Sequence, residues 1–334
     1  MRVLITGGNG FIGRRLAAAL LRSGTVTVDG AGRQPIERMT LFDSVGGAGY
    51  PQDERVELVT GDITDRGAVE RVAAQADLVW HLAAVVSAAA EADFDLGYRV
   101  NVDGTRTLLE ALRGTGRRPR VVFASSFAVY GGDMPPAVGD EFHPVPQSSY
   151  GAQKAIGELL TADYSRKGFV DGRSLRLPTI VVRPGKPNKA ASSFASSIIR
   201  EPLAGQEVVC PVGQDTAIYI LSPRRVTEAL LRAMQLPESA WGVNCTLPLP
   251  GITTTAAAMV EALARVAGAA VADRIRWQPD PAIQRIVETW PVGAEARRAR
   301  MLGFTDDGTF DAILLAHIED ELGGTLPVRT VRPV

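Results

Sequence analysis

Tyr150 and Lys154 stand four residues apart, which on a helix puts both side chains on one face. A phenol has an ordinary pKa near 10 and is a poor base at neutral pH, but a neighbouring ammonium and a cationic cofactor ring stabilise the phenolate and lower that value. Tyr-x-x-x-Lys occurs by chance in many helices. Here it follows a run that ends Ala124-Ser125-Ser126-Phe127-Ala128-Val129-Tyr130-Gly131, which reads as a strand delivering two small hydroxyls to a cleft at its carboxyl end. Ser126 is a candidate donor to a substrate oxygen and Ser125 a candidate to face a cofactor. The alternative for either serine is a cap of the following turn.

An anion site is written near the start of the chain. Gly7-Gly8-Asn9-Gly10-Phe11-Ile12-Gly13 falls where an apolar strand gives way to an amphipathic helix. Glycines there let backbone N–H groups and the helix N-terminus approach a pyrophosphate. A dinucleotide site also needs a carboxylate for the adenosine ribose, and Asp43, closing the run 39–42, is the candidate. It comes later than the usual spacing of about 20 residues, which predicts an extended loop over 24–38. Its charge would repel a 2′-phosphate and so favours NAD over NADP. Asp29, among Gly24, Gly30 and Gly32, reads as a turn residue. Asp62 and Ile63, after the next strand, are candidates to flank the adenine.

The elements that must position these groups alternate. Strands are expected over 2–6, 39–42, 56–60, 78–81, 120–124 and 175–182, and helices over 11–22, 66–76, 92–114 and 149–168. That rhythm predicts an α/β fold, a doubly wound parallel sheet with helices on both faces. After Pro184 the pattern becomes Pro- and Gly-punctuated, with helices expected over 223–234, 253–267 and 310–322. The expected division is a dinucleotide-binding unit over 1–184, a smaller mixed substrate lobe over 185–324 with some segments returning to the first unit, and a loose tail over 325–334.

The chain has 334 residues, 46% of them hydrophobic, with 36 Lys and Arg against 37 Asp and Glu. A near-zero net charge lacks the basic footprint of a nucleic-acid partner. No run of about 18 apolar residues spans a membrane. Two cysteines, Cys210 and Cys245, and no basic-then-apolar leader imply free thiols and a cytoplasmic enzyme. No metal ligands are assigned.

Together, residues 6–13, His81-Leu82-Ala83-Ala84, Val100-Asn101-Val102-Asp103-Gly104-Thr105, the 125–131 segment and Tyr150-Gly151-Ala152-Gln153-Lys154 resemble the extended short-chain dehydrogenase/reductases, the NAD-dependent epimerase/dehydratase group. The resemblance implies a seven-stranded Rossmann sheet and a catalytic triad of Ser126, Tyr150 and Lys154. Tyr150 would be the general base for alcohol oxidation, Lys154 would hold the nicotinamide ribose and tune the phenol, and Ser126 would bind the reacting hydroxyl. Leu82, Ala83 and Ala84 would pass beneath the cofactor and Asn101 would support it, while His81 would be structural. A homodimer built from helices 92–114 and 149–168 is also implied.

Departures from the family pattern narrow the chemistry. Phe127 and Ala128 stand where sugar-nucleotide dehydratases carry an Asp-Glu pair, so elimination of water lacks its acid and base. In Arg176-Leu177-Pro178-Thr179, Thr179 stands where nucleotide-sugar epimerases carry Asn; Leu177 and Thr179 are counted with the cofactor contacts. The segment 175–193 is similar to a branch that oxidises the 2-hydroxyl of a four-carbon sugar acid, D-erythronate, with NAD, as are the segments 40–43, 83–87, 91–95 and 222–225. A small hydroxy acid needs a cation, and a guanidinium grips a carboxylate bidentately. Arg183 is the candidate, with Lys186, Asn188 and Lys189 following on a Pro-rich loop and Ser87 and Ser192 as further pocket candidates. Two other readings remain open: a nucleotide-sugar 4-epimerase that uses the same triad and keeps its cofactor bound, and a non-catalytic dinucleotide sensor.

Overall fold

The computed structural model describes residues 1–47, 53–185 and 191–326. Seven parallel strands form its main sheet: β1 (Arg2–Thr6), β2 (Arg38–Asp43), β3 (Val56–Thr60), β4 (Leu78–His81), β5 (Arg120–Ser126), β6 (Asp171–Leu177) and β7 (Thr246–Pro248), in the order β7-β6-β5-β4-β1-β2-β3. The order reverses between β1 and β4, and doubly wound sheets open their ligand crevice at such a switch point.

Alternation along β1 shows why both faces are covered. Val3 and Ile5 pack with Leu16 and Leu20 of α1 (Phe11–Ser23) and with Val226 and Leu230 of the helix Pro223–Gln235. Leu4 points the other way, into a core with Val69 of α2 (Arg66–Ala73) and Leu108 and Leu112 of α3 (Gly104–Gly114). The helix α4 (Ser149–Arg166) covers β5 and β6 on that second face, with Leu160 and Tyr164 against the same core. Thus both the helix Pro223–Gln235, which packs on α1, and β7 belong to the first layer system although they lie far along the chain.

The remaining segments form a lobe with its own core. A three-stranded sheet, Thr179–Ile180, Ala217–Leu221 and Ile252–Thr255, packs with Ile198 and Ile199 of the helix Ser193–Leu203, Met259 and Leu263 of Ala256–Ala267, and Ile313 and Leu314 of Phe310–Glu321.

Four expected elements differ. The stretch 92–114 is not one helix: Asp93 adopts an extended conformation and caps the short helix Phe94–Tyr98 by accepting from the Leu96 N–H at 2.9 Å, after which Arg99–Asp103 makes a π-helical turn into α3. The stretch 24–38 is not an open loop but a hairpin, Thr25–Val28 paired with Gly32–Pro35, whose turn carries the exposed Asp29. The strand expected over 175–182 starts earlier, at Asp171, and stops at Leu177 because Pro178 has no N–H to continue the ladder; Thr179 and Ile180 then join the lobe sheet. Thr253 to Thr255 are strand, not helix, and the Thr255 hydroxyl caps the helix that follows. The cysteines are both free, Cys210 buried and Cys245 partly so. Of the tail, residues from 327 on lie outside the described residues.

Candidate functional site

A cleft of about 700 Å³ runs along the carboxyl ends of the main strands. At one end the glycine turn closes over it. Gly7 has φ +68°, in the left-handed region, and a Cβ there would lie 2.7 Å from the Ala83 nitrogen; a Cβ on Gly13 would lie 2.4 Å from the Gly7 carbonyl oxygen. The turn therefore requires glycine for both conformation and close approach. Gly10 is the N-cap of α1 and offers no side chain to the first-turn N–H groups, which face the cleft as an anion cradle.

Gly7, Gly10, Phe11, Ile12 and Gly13 line this end, with Asp43, Asp62, Ile63, Leu82, Ala83 and Ala84 around it. Asp43 Oδ2 accepts from the Asn9 N–H at 2.9 Å and Oδ1 from the Val45 N–H at 3.1 Å. Asn9 itself does not line the cleft. Its carboxamide donates to the Val45 carbonyl at 2.9 Å and accepts from Arg14, so it fixes the carboxylate instead of presenting its own side chain. Asp62 Oδ1 accepts from the N–H and hydroxyl of Thr64, both at 2.9 Å, and the N-cap of α2 is Asp65.

At the other end lie Ser87, Ser125, Ser126, Tyr150, Leu177, Thr179, Arg183 and Ser192. These sequence candidates share the cleft; Lys154 does not line it and is buried behind Tyr150, and Asn188, with Lys186 and Lys189, lies outside the described residues. Ser126 ends β5; its hydroxyl accepts from the Ala128 N–H at 3.1 Å and stands beside the Tyr150 phenol, where it lowers the pKa of that group. Tyr150 opens α4, whose N-cap Ser148 accepts from the Gly151 N–H at 3.1 Å. Gly151 and Gly157 let that helix lie close to the strand layer, since a Cβ on either would strike Ala128 or Phe123.

The electrostatics depart from expectation at one point. Desolvation pushes the Tyr150 phenol up to about 12, and the charge that pulls it back is that of Arg183, together with the Ser126 hydrogen bond. Lys154 stands further back. Its ammonium donates to the Ala124 carbonyl at 2.8 Å and sits 5.6 Å from the Tyr150 ring centroid and 4.8 Å from that of Phe123. Burial lowers Lys154 to about 8 against an opposing pull from Glu158. The guanidinium of Arg183 has no carboxylate partner among the described residues; its backbone is pinned by Ser196, which accepts from its N–H at 3.0 Å, and by Arg200, which donates to its carbonyl at 2.6 Å.

Two candidates act from behind the wall. Asn101, on the π-helical turn, is buried; it brackets Val85 with bonds of 2.8 and 2.9 Å and donates to Gln153 Oε1 at 2.7 Å, holding the loop after β4. Ser125 donates its hydroxyl to Glu158, so only its flank faces the cleft. His81 is wedged between the hydroxyls of Thr6 and Thr105 at 2.7 and 2.9 Å, and burial drops it to about 3, a structural residue. The sequence reading passed over Glu158 and its partner Arg176, although Glu158 falls four residues past Lys154 on the same face of α4.

The comparisons now bear on this geometry. The model of the NAD dependent epimerase/dehydratase family matches residues 3–240. The chain belongs to this family. Within the family, it is 56% identical over 324 residues to D-erythronate dehydrogenase of Cupriavidus necator, covering 96% of this chain and 98% of that one. It is 42% identical over 323 residues to D-erythronate dehydrogenase of Haemophilus influenzae, covering 96% and 100%. A solved structure described as a nucleoside-diphosphate-sugar epimerase from Agrobacterium tumefaciens superposes with a TM-score of 0.93 at 45% identity over 98% of this chain and 96% of that one. NAD is the cofactor of the family, and the glycine cradle, the uncapped helix end and the fixed Asp43 carboxylate are the features that suit it. Among the described residues no helix is long and apolar enough to cross a membrane.

Proposed function

We propose that this chain is an NAD-dependent dehydrogenase that oxidises the 2-hydroxyl of a small sugar acid, D-erythronate being the best candidate. The observation that carries this reading is the convergence of Ser126, Tyr150 and a carboxylate-free Arg183 in one cleft. Both curated relatives named above support it. When bound, NAD supplies the hydride acceptor. The chain supplies the rest: Arg183 grips the carboxylate, Ser126 holds the reacting hydroxyl, and Tyr150 takes its proton as the C–H bond at the same carbon breaks. Lys154 holds the nicotinamide ribose, and Asp43 accepts from the adenosine ribose hydroxyls.

The alternative is a nucleotide-sugar 4-epimerase, favoured by the description of the Agrobacterium structure. The Arg183 guanidinium, which meets no carboxylate among the described residues, suits the carboxylate of a free acid; the diphosphate of a nucleotide sugar would attract it as well, so the substrate comparison decides. Absorbance separates the two. Given NAD and D-erythronate, a dehydrogenase accumulates NADH; an epimerase shows no net NADH and converts UDP-glucose. Turnover of UDP-glucose with none of any C4 or C5 sugar acid overturns the reading.

Cofactor choice gives a second test. Asp43→Ser removes the carboxylate that would exclude a 2′-phosphate, so NAD affinity falls and NADP affinity rises. Titration of both cofactors against both proteins measures this. An unchanged preference would remove Asp43 from the role.

A further inference from the structure

Behind the Ser126–Tyr150 wall lies a buried chain of polar groups, of which the reaction described above uses only Lys154. Glu158 is 5% exposed and Lys154 3% exposed, one turn apart on α4. Arg176, on β6, donates Nε to Glu158 Oε1 at 2.9 Å and Nη2 to Oε2 at 2.7 Å, a bidentate clamp, and Nη1 to the Tyr130 hydroxyl at 2.7 Å. Ser125, on β5, donates to the same Oε1. Lys154 donates to the carbonyl of Ala124, the residue before it on β5. The ammonium and the carboxylate therefore grip adjacent residues of the strand that ends in Ser126.

We infer that Glu158 is a positioning residue: clamped by Arg176, its carboxylate fixes the Ser125 hydroxyl and supplies the buried negative charge that faces the Lys154 ammonium across one turn of α4. A buried carboxylate costs free energy unless paired, so a bidentate clamp explains how it is retained. Its influence reaches Lys154 because the other neighbours do not compete. His81, from β4, is uncharged after burial drops it to about 3. Tyr150, on α4 itself, is held protonated by desolvation in the unliganded protein, and Arg183 acts on Tyr150. Arg176 stands behind the carboxylate and is spent on it. Glu158 raises Lys154 against the desolvation that has brought it down to about 8.

The consequence for catalysis is a matter of where one proton sits. The Lys154 Nζ lies 5.6 Å from the Tyr150 ring centroid, and phenolate with ammonium contains the same number of protons as phenol with neutral amine, so at that separation we treat the two as one coupled pair. Only the first form has a base for the substrate hydroxyl. Glu158 favours that form by stabilising the ammonium. Without it, the pair loses its first proton at lower pH, yet less of the pair is in the useful form.

This inference rests on the dehydrogenase reading above, and the test distinguishes the two. The measurement is kcat/KM for D-erythronate across pH at saturating NAD, on wild type, Glu158→Gln and Glu158→Asp. In Glu158→Gln the rising limb should move acid-ward by about one pH unit while the plateau falls severalfold. Glu158→Asp, which keeps the charge, should restore the midpoint. A purely structural role would lower the plateau at an unmoved midpoint, and that result overturns the inference. Should Glu158→Gln not fold because it strands a buried guanidinium, Glu158→Gln/Arg176→Met removes both charges together, a replacement that buried pairs often tolerate; the same acid-ward movement is expected, and an unmoved midpoint there counts against the inference equally. Absence of sugar-acid oxidation by the wild type would instead defeat the dehydrogenase reading itself.

Discussion

Replacing Tyr150 with Phe should lower turnover of the sugar acid by ~10²–10⁴-fold, the usual loss when an acid–base group is deleted, with NAD binding retained. Phe keeps the ring that packs at the foot of the cleft and the approach of the Lys154 ammonium to its face. What disappears is the phenolic oxygen that Ser126 holds. In the unliganded protein that phenol is pushed up to about 12, too high to act as a base near neutrality. A positive nicotinamide ring bound beside it would add to the stabilisation of the phenolate, so coupling between the activating step and cofactor binding is expected. Steady-state turnover together with NAD titration checks this. Near-normal turnover in Tyr150→Phe would sink the mechanism, and loss of NAD binding would show that the ring has a role in the cradle.

Arg183→Met should lower kcat/KM for D-erythronate by roughly 10- to 200-fold. A charge-assisted bond to a carboxylate is worth about 1.5–3 kcal/mol, and about 1.4 kcal/mol is one decade. Most of the loss should fall in KM, since the contact is present in bound substrate and transition state alike. A smaller part should fall in kcat, because the same guanidinium is the charge that lowers the Tyr150 phenol. Methionine fills a similar volume without leaving a cavity at a half-buried position. Steady-state comparison of the acid with its lactone makes the test specific. A lactone has no carboxylate, so it should be a poor substrate of the wild type and be little affected by the substitution. Equal losses for acid and lactone would mean that Arg183 serves the fold or the phenol and not the carboxylate.

The parallel sheet was readable from sequence because several of its strands, β1 and β4 among them, are covered on both faces and so are largely apolar. Strand β6 was misread for the opposite reason: Asp171, Arg173 and Ser174 are buried there, with Asp171 shared between Arg120 and Arg173, and a polar start hides a strand from any hydrophobicity pattern. The break of 92–114 depends on Asp93 choosing to cap and on Asn101 reaching Val85 and Gln153, contacts that only the folded chain makes. The hairpin 25–35 did leave a signal in the alternation Thr25-Val26-Thr27-Val28 before a Gly-rich turn. In the site, Ser126, Tyr150 and Asp43 could be singled out because each sits at the end or start of a regular element, with the family resemblance naming the triad and Asp43 chosen as a strand end against the usual spacing. The action of Arg183 on Tyr150 could not be, because it joins two segments that have no common periodicity. Glu158 lay within reach of the same spacing argument that picked out Tyr150 and Lys154, but its partner Arg176 is on another strand.

The two backbone N–H groups that hold Asp43 have a thermodynamic consequence. A carboxylate left to rotate in solvent gives up its rotamer freedom when a ligand hydroxyl engages it, and immobilising a side chain costs about 0.5–1.5 kcal/mol. Asn9 and Val45 have already fixed both oxygens of Asp43, so that entropy is lost on folding and not again on each binding cycle. A ribose arriving at this carboxylate meets an acceptor already oriented by the turn that also cradles the pyrophosphate, so recognition of the sugar and of the phosphates is built into one rigid piece of backbone.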